Sequence, residues 1–266
     1  QNQLPYVDGV KLLIIPDIST RIAALRTGKV DVLTSDGHSR PTLFKEEAEQ
    51  LWQTNPELKW KGVLLTRTKM WYFRNDREPF TDVRVRQALA MAINHEVIRD
   101  GFYDGTGPIL AEPIPAFQEY HYMYRPVEEL SETIQKMYGY YPEEAKQLLA
   151  EAGYPDGFKT SIVTAQADVD LLSVIAADWA KIGVELELDV REAGAISGIA
   201  SSGANLQMIT GGTAAGNPFT LERIVPGTTN GIKGGFTDEE HPWIKETRTA
   251  LAEALLTNLG PENRVA

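Results

Sequence analysis

The chain has 266 residues, 42% of them hydrophobic and 24% charged, which is room for one large domain or two smaller lobes. A net charge of -11 argues against a nucleic-acid partner, whose backbone demands a basic face, and against docking on an anionic membrane. The absence of cysteine excludes disulfides, thiolate metal sites and a cysteine nucleophile.

No apolar run reaches the length of a membrane span. The opening "QNQLPYVDGV" lacks the basic and apolar regions of a signal peptide, which leaves a cytoplasmic chain or a piece of a longer one. "VKLLIIP" (10–16) predicts a buried strand ended by proline. Asp17 or Ser19 then caps a helix with Ile18, Ile22 and Leu25 on one side, and Gly28 stands where a helix-terminating glycine belongs. "VDVLT" (30–34) predicts a second strand, so the chain is expected to open on a strand–helix–strand unit. A polar loop (36–45) and a short helix, "KEEAEQLWQT", follow.

"GVLLTRTKMWYFRN" (62–75) is rich in branched and aromatic residues and predicts a strand. Pro79 stops it. Thr81 or Asp82 caps the next helix, where Val85, Ala88, Leu89, Ala92 and Ile93 recur at offsets of three and four. Asp82 and Arg86 lie one turn apart and are expected to pair. Asn94 caps a short helix, "HEVIRD", closed by Gly101. Residues 104–127 hold four prolines and many aromatics, so a regular ladder is excluded. They form either a wall of a binding cleft or a loop packed on its own rings.

Pro142 opens a helix with Ala145, Leu148, Leu149 and Ala152 as its apolar stripe, ended by Gly153. "YPDGF" is a turn, "KTSIVTA" (159–165) a strand, and 168–181 a helix with Leu172, Ile175, Ala176 and Trp179 inward. "VELELDV" (184–190) alternates apolar and acidic residues, the mark of a strand with one wet face. Its acidic trio fits a solvated row better than a metal site. The run predicts a right-handed parallel crossover. "AGAISGIASSG" predicts a weak helix, and "NLQMIT" (205–210) a strand emptying into a small-residue loop, "GGTAAGNP" (211–218). Ligands of open α/β sheets sit beyond the carboxyl ends of strands, so this loop is a candidate binding element; the competing reading is a plain tight turn.

No catalytic constellation emerges. His38, His95, His121 and His241 lack metal-ligand spacing, and there is no phosphate loop, nucleophile elbow or dinucleotide fingerprint. No cofactor and no enzymatic activity are expected.

Four stretches occur in one order: "RIAALRTGKVDVL" (21–33), "EPFTDVRVRQALAMAINHEVI" (78–98), "YPEEAKQLLAEAGYPDGF" (141–158) and "WAKIGVELEL" (179–188). Together they resemble the extracytoplasmic solute-binding proteins of peptide- and nickel-type ABC transporters, solute-binding protein family 5. The resemblance implies an α/β, periplasmic-binding-protein-like (type II) lobe, a mixed sheet flanked by helices, with a partial first-lobe segment. It implies that residues 1–72 are a remnant of the N-terminal lobe and 73–266 the C-terminal ligand-binding lobe, truncated at its end. The parent chain would be about twice as long, with its leader and most of the first lobe outside these residues. The implied partners are a small solute, peptide or other polar compound, and a membrane permease, at an extracytoplasmic location. In peptide-binding members an aspartate four positions before a proline pairs with the peptide's amino terminus. Here the proline is Pro218 and the matching position is Ala214, and the neighbouring tryptophan falls near Gly211. The resemblance therefore implies that a free amino terminus is not bound in that manner. The candidate contacts are Thr210, Gly211, Gly212, Thr213, Ala214 and Asn217, with Gln166 and Asp168 after the 159–165 strand, and Glu112 and Tyr120 in the proline-rich loop. Arg74 and Asn75 are candidate hinge residues. A ligand-sensing domain of the same fold and a carboxylate-dependent hydrolase are the alternatives.

Overall fold

A computed structural model describes residues 7–15, 17–33, 43, 45–61, 67–103, 105, 107, 109, 124–214, 246, 249 and 250, with the backbone alone at 45, 46, 67, 68 and 212–214. The chain divides into two compact units, Gln1–Val63 and Leu64–Ala266.

In the first unit, α1 (Ile18–Arg26) starts where the Asp17 carboxylate accepts the Thr20 backbone N–H at 2.8 Å. The second helix, α2 (Lys45–Thr54), coincides with the predicted one. The two expected strands are not formed: residues 10–15 and 30–33 carry no ladder, and Val10, Leu12, Ile14 and Val32 are exposed. A strand exists only through a partner's hydrogen bonds, and among the described residues these segments have none.

The second unit is built on a four-stranded sheet in the order β1-β4-β2-β3. Its strands are β1 (Arg67–Phe73), β2 (Phe158–Thr164), β3 (Val184–Val190) and β4 (Met208–Ala214). β2 runs parallel to β3 and β4, and β1 antiparallel to β4, with Arg67 opposite Ala214 and Phe73 opposite Met208. β1 belongs to this unit. A further correction concerns residues 211–214. They continue β4 instead of opening a loop, because β1 supplies ladder partners for backbone that two adjacent glycines would otherwise leave irregular.

Helices α3 (Val83–Met91), α6 (Pro142–Glu151) and α7 (Val169–Ala180) supply most of the core against the sheet. The Asp82 carboxylate caps α3 by accepting the Arg84 N–H at 2.8 Å, and Asn94 caps α4 (His95–Phe102) through the Val97 N–H at 3.0 Å. The expected Asp82–Arg86 pair does not form. Arg84 takes the carboxylate at 2.6 Å, while the half-buried Arg86 donates to the Phe80 carbonyl. α4 also runs through Gly101 to Phe102. Trp179 is 1% exposed and its Nε1–H donates to the Leu89 carbonyl at 2.9 Å, tying α7 to α3. Full burial of one such side chain contributes roughly 1.5–3 kcal/mol. Asp178 accepts the Asn94 N–H at 3.0 Å and pairs with Lys181 at 2.7 Å, which joins α7 to the turn before α4. Two further helices are α5 (Glu132–Tyr138) and α8 (Ala193–Ser202), the latter ended by Gly203 in the left-handed region.

One contact sets where β2 and β3 begin. Gly157, at φ +75°, passes so near Gly183 that an added Cβ would stand 1.9 Å from the Gly183 carbonyl oxygen. The next residues, Phe158 and Val184, are the first pair of the β2–β3 ladder.

Candidate functional site

Parallel β2, β3 and β4 end on one edge of the sheet, and antiparallel β1 begins there. In open α/β sheets this carboxyl edge is where ligands gather. Thr164 closes β2 fully buried, and its carbonyl accepts the Arg191 N–H at 2.8 Å, holding the end of β3 beside it. The chain then makes a 3-10 turn, Gln166–Asp168, before α7. Gln166 is exposed, while Asp168 is turned in, at 6% exposure.

Asp168 is met by a residue the sequence reading missed. The Lys69 ammonium lies 2.5 Å from its Oδ1, with the lysine side chain 28% exposed. Lys69 stands on β1 opposite Gly212, so the residue directly facing it brings no side chain. The two partners are ninety-nine positions apart, and only the antiparallel placement of β1 brings them to one edge. The strand itself, "RTKMWYF", carries no signal for this pairing, since Lys69 follows two other polar residues. Next along β4, Thr210 is 7% exposed and its hydroxyl donates to the Val163 carbonyl at 3.3 Å. Arg191 and Asp189, at the end of β3, pair at 2.6 Å.

The candidates therefore separate. Thr210, Gly211, Gly212, Thr213 and Ala214 lie on β4 running to the carboxyl edge, and Gln166 and Asp168 lie in the turn after β2. Glu112, Tyr120 and Asn217 lie outside the described residues. Arg74 and Asn75 follow the other end of β1, beside the start of β4. There Arg74 is 8% exposed. Its Nε–H and Nη2–H donate to Asp76 at 2.7 and 2.5 Å, and its Nη1–H donates to the carbonyls of Asn205, at 3.0 Å, and Gly203. These bonds fasten the end of β1 to the segment entering β4. They also hold the Asp76 carboxyl below its usual range.

Two concavities lie apart from this edge. A groove of about 480 Å³ between α3, α5 and α6 is lined by Gln87, Lys136, Glu144 and Glu151, and its Lys136–Glu144 pair closes at 2.9 Å. A pocket of about 170 Å³ is walled by Trp71, Phe73, Ile93, His95, Tyr138 and Trp179. Burial lowers the His95 pKa, with the Asp178 charge opposing. Neither concavity includes an edge candidate. Among the described residues no group of three or more His, Asp or Glu side chains gathers as metal ligands.

The family model for bacterial extracellular solute-binding proteins, family 5 Middle, matches residues 1–234. Heme-binding protein A of Haemophilus influenzae is 34% identical over 190 residues, covering 67% of this chain and 31% of that protein. The dipeptide-binding protein of Escherichia coli is 28% identical over 216 residues, covering 79% and 37%. Among solved structures, HbpA2 from Haemophilus parasuis matches with a TM-score of 0.63 at 27% identity, over 91% of this chain and 45% of that one. AppA from Bacillus subtilis, in complex with a nonapeptide, matches with a TM-score of 0.66 at 21% identity, over 89% and 47%. The chain spans about a third of the length of these curated relatives. Its fold, a mixed sheet flanked by helices, is that of the type II periplasmic binding proteins. By the match across residues 1–234, the chain belongs to family 5 of the bacterial extracellular solute-binding proteins.

Proposed function

We propose that this chain is part of the substrate-binding component of an ABC importer of the oligopeptide and dipeptide type. It captures a small solute between two lobes outside the cytoplasm and delivers it to a membrane permease, without covalent chemistry. The family match over residues 1–234 carries this reading. Relatives named for heme, dipeptide and glutathione support a solute of modest size with polar groups. The carboxyl edge formed by β4 and the turn after β2 is the lobe surface proposed to meet it, through Thr210, the backbone of 211–214, Gln166 and Asp168. Asn217, Glu112 and Tyr120 complete the proposed contact set. Segment 1–72 is proposed as first-lobe sequence and 73–266 as the second lobe, with Arg74 and Asn75 near the crossing. Native mass spectrometry of the intact gene product with alanyl-alanine, glutathione and heme tests the capture. A one-to-one complex with at least one of them is expected. Absence of any complex at millimolar peptide, with the protein folded, contradicts the proposal.

A further inference from the structure

At the carboxyl edge two of the described carboxylates are already paired. Asp189 pairs with Arg191, and Asp168, the buried carboxylate, is held by Lys69 at 2.5 Å. Asp170, on the first turn of α7, is exposed, and water screens what it offers a ligand. The Lys69 ammonium holds Oδ1 and neutralises the carboxylate, so an incoming ammonium group meets a paired charge and the repulsion of a second cation beside it. The Lys69 side chain is 28% exposed and spends one of its three N–H donors on Asp168. The other donors suit a carbonyl or carboxylate, and Gly212, directly across the ladder, adds no side chain beside them.

We propose that Lys69 is a specificity-determining residue: by occupying Asp168 it denies that carboxylate to a ligand's amine, so the edge selects solutes whose contacting end is uncharged or anionic. This rests on capture at the carboxyl edge. The same site without Lys69 presents a buried carboxylate and reverses the preference.

The test compares two ligand pairs on the intact gene product by titration calorimetry: alanyl-alanine with N-acetyl-alanyl-alanine, and glutathione with N-acetylglutathione. Wild type is expected to bind the acetylated member at least as tightly as the free amine. Lys69→Met shifts the ratio toward the free amine by about tenfold or more, the scale of one charge-assisted hydrogen bond. Adding Asp168→Asn to Lys69→Met removes that gain. Asp168→Asn alone, which does not depend on the folding of Lys69→Met, leaves Lys69 without its carboxylate and enlarges the acetylated member's advantage. A tenfold wild-type preference for the free amine overturns the inference and leaves capture standing. So does a ratio that neither Lys69→Met nor Asp168→Asn changes. No binding of any of the four ligands by folded wild type overturns it as well, and counts against capture itself.

Discussion

Replacing Arg74 with methionine tests whether this side chain fastens the sheet. The substitution keeps most of the stem and removes every donor. It leaves the Asp76 carboxylate without its bidentate partner and the carbonyls of Gly203 and Asn205 without the guanidinium. Breaking a buried ion pair by deleting one member costs about 3–5 kcal/mol, and a hydrogen bond to a charged group contributes about 1.5–3. The Asp76 side chain is 26% exposed, so water recovers part of that loss. The expected destabilisation is about 2–4 kcal/mol, with Arg74→Lys between it and wild type. Urea unfolding followed by tryptophan fluorescence and circular dichroism at pH 7 measures it. The sign of the pH dependence is set by Asp76. Hydrogen bonds from Arg74 lower its pKa from the ordinary 3.8, so its contribution is present above that value and fades as pH falls through the lower folded value. The gap between wild type and Arg74→Met must therefore narrow below about pH 4. A variant within about 0.5 kcal/mol of wild type at pH 7 refutes the fastening role.

Gly157→Ala forces a Cβ to within 1.9 Å of the Gly183 carbonyl oxygen, at positive φ, and is expected to cost at least about 2 kcal/mol in the same unfolding measurement. A neutral result means the two turns do not touch. Trp179→Phe removes the Nε1–H that satisfies the buried Leu89 carbonyl and is expected to lose about 1–3 kcal/mol, where Trp179→Ala loses about 3–5. Equal losses from the two would show that the hydrogen bond and the ring's remaining bulk are not separable. His95 has its pKa lowered by burial from the ordinary 6.5, so the folded state resists a proton that the unfolded chain accepts, and stability falls as pH drops below that value. Unfolding at pH 7.5 and 5.5 should show a larger loss for wild type than for His95→Gln; equal losses would place the slope elsewhere.

Elements whose signals are local were legible in the sequence. The Asp82 and Asn94 caps, Pro142 at the first turn of α6 and the alternation of β3 each depend on neighbours a few residues away, and the β2–α7–β3 crossover joins elements consecutive in the chain. Features that depend on distant partners were not. The apolar runs at 10–15 and 30–33 have strand composition and no ladder among the described residues. Residues 211–214 have loop composition and do have a ladder, since β1 lies alongside. Arg84 displaced Arg86 at Asp82 because Arg86 found the Phe80 carbonyl instead. Asp168 was singled out from its position after a strand, but its neutralisation by Lys69 follows only from the order of strands in the sheet.

Hydrogen–deuterium exchange on the intact gene product, with and without whichever of alanyl-alanine, glutathione or heme it binds, tests capture at the carboxyl edge most directly. The ligand should slow exchange at 164–168 and along 208–214, with little change at 142–151 on α6. Protection confined to other segments, with 164–168 and 208–214 exchanging as in the free protein, would contradict it.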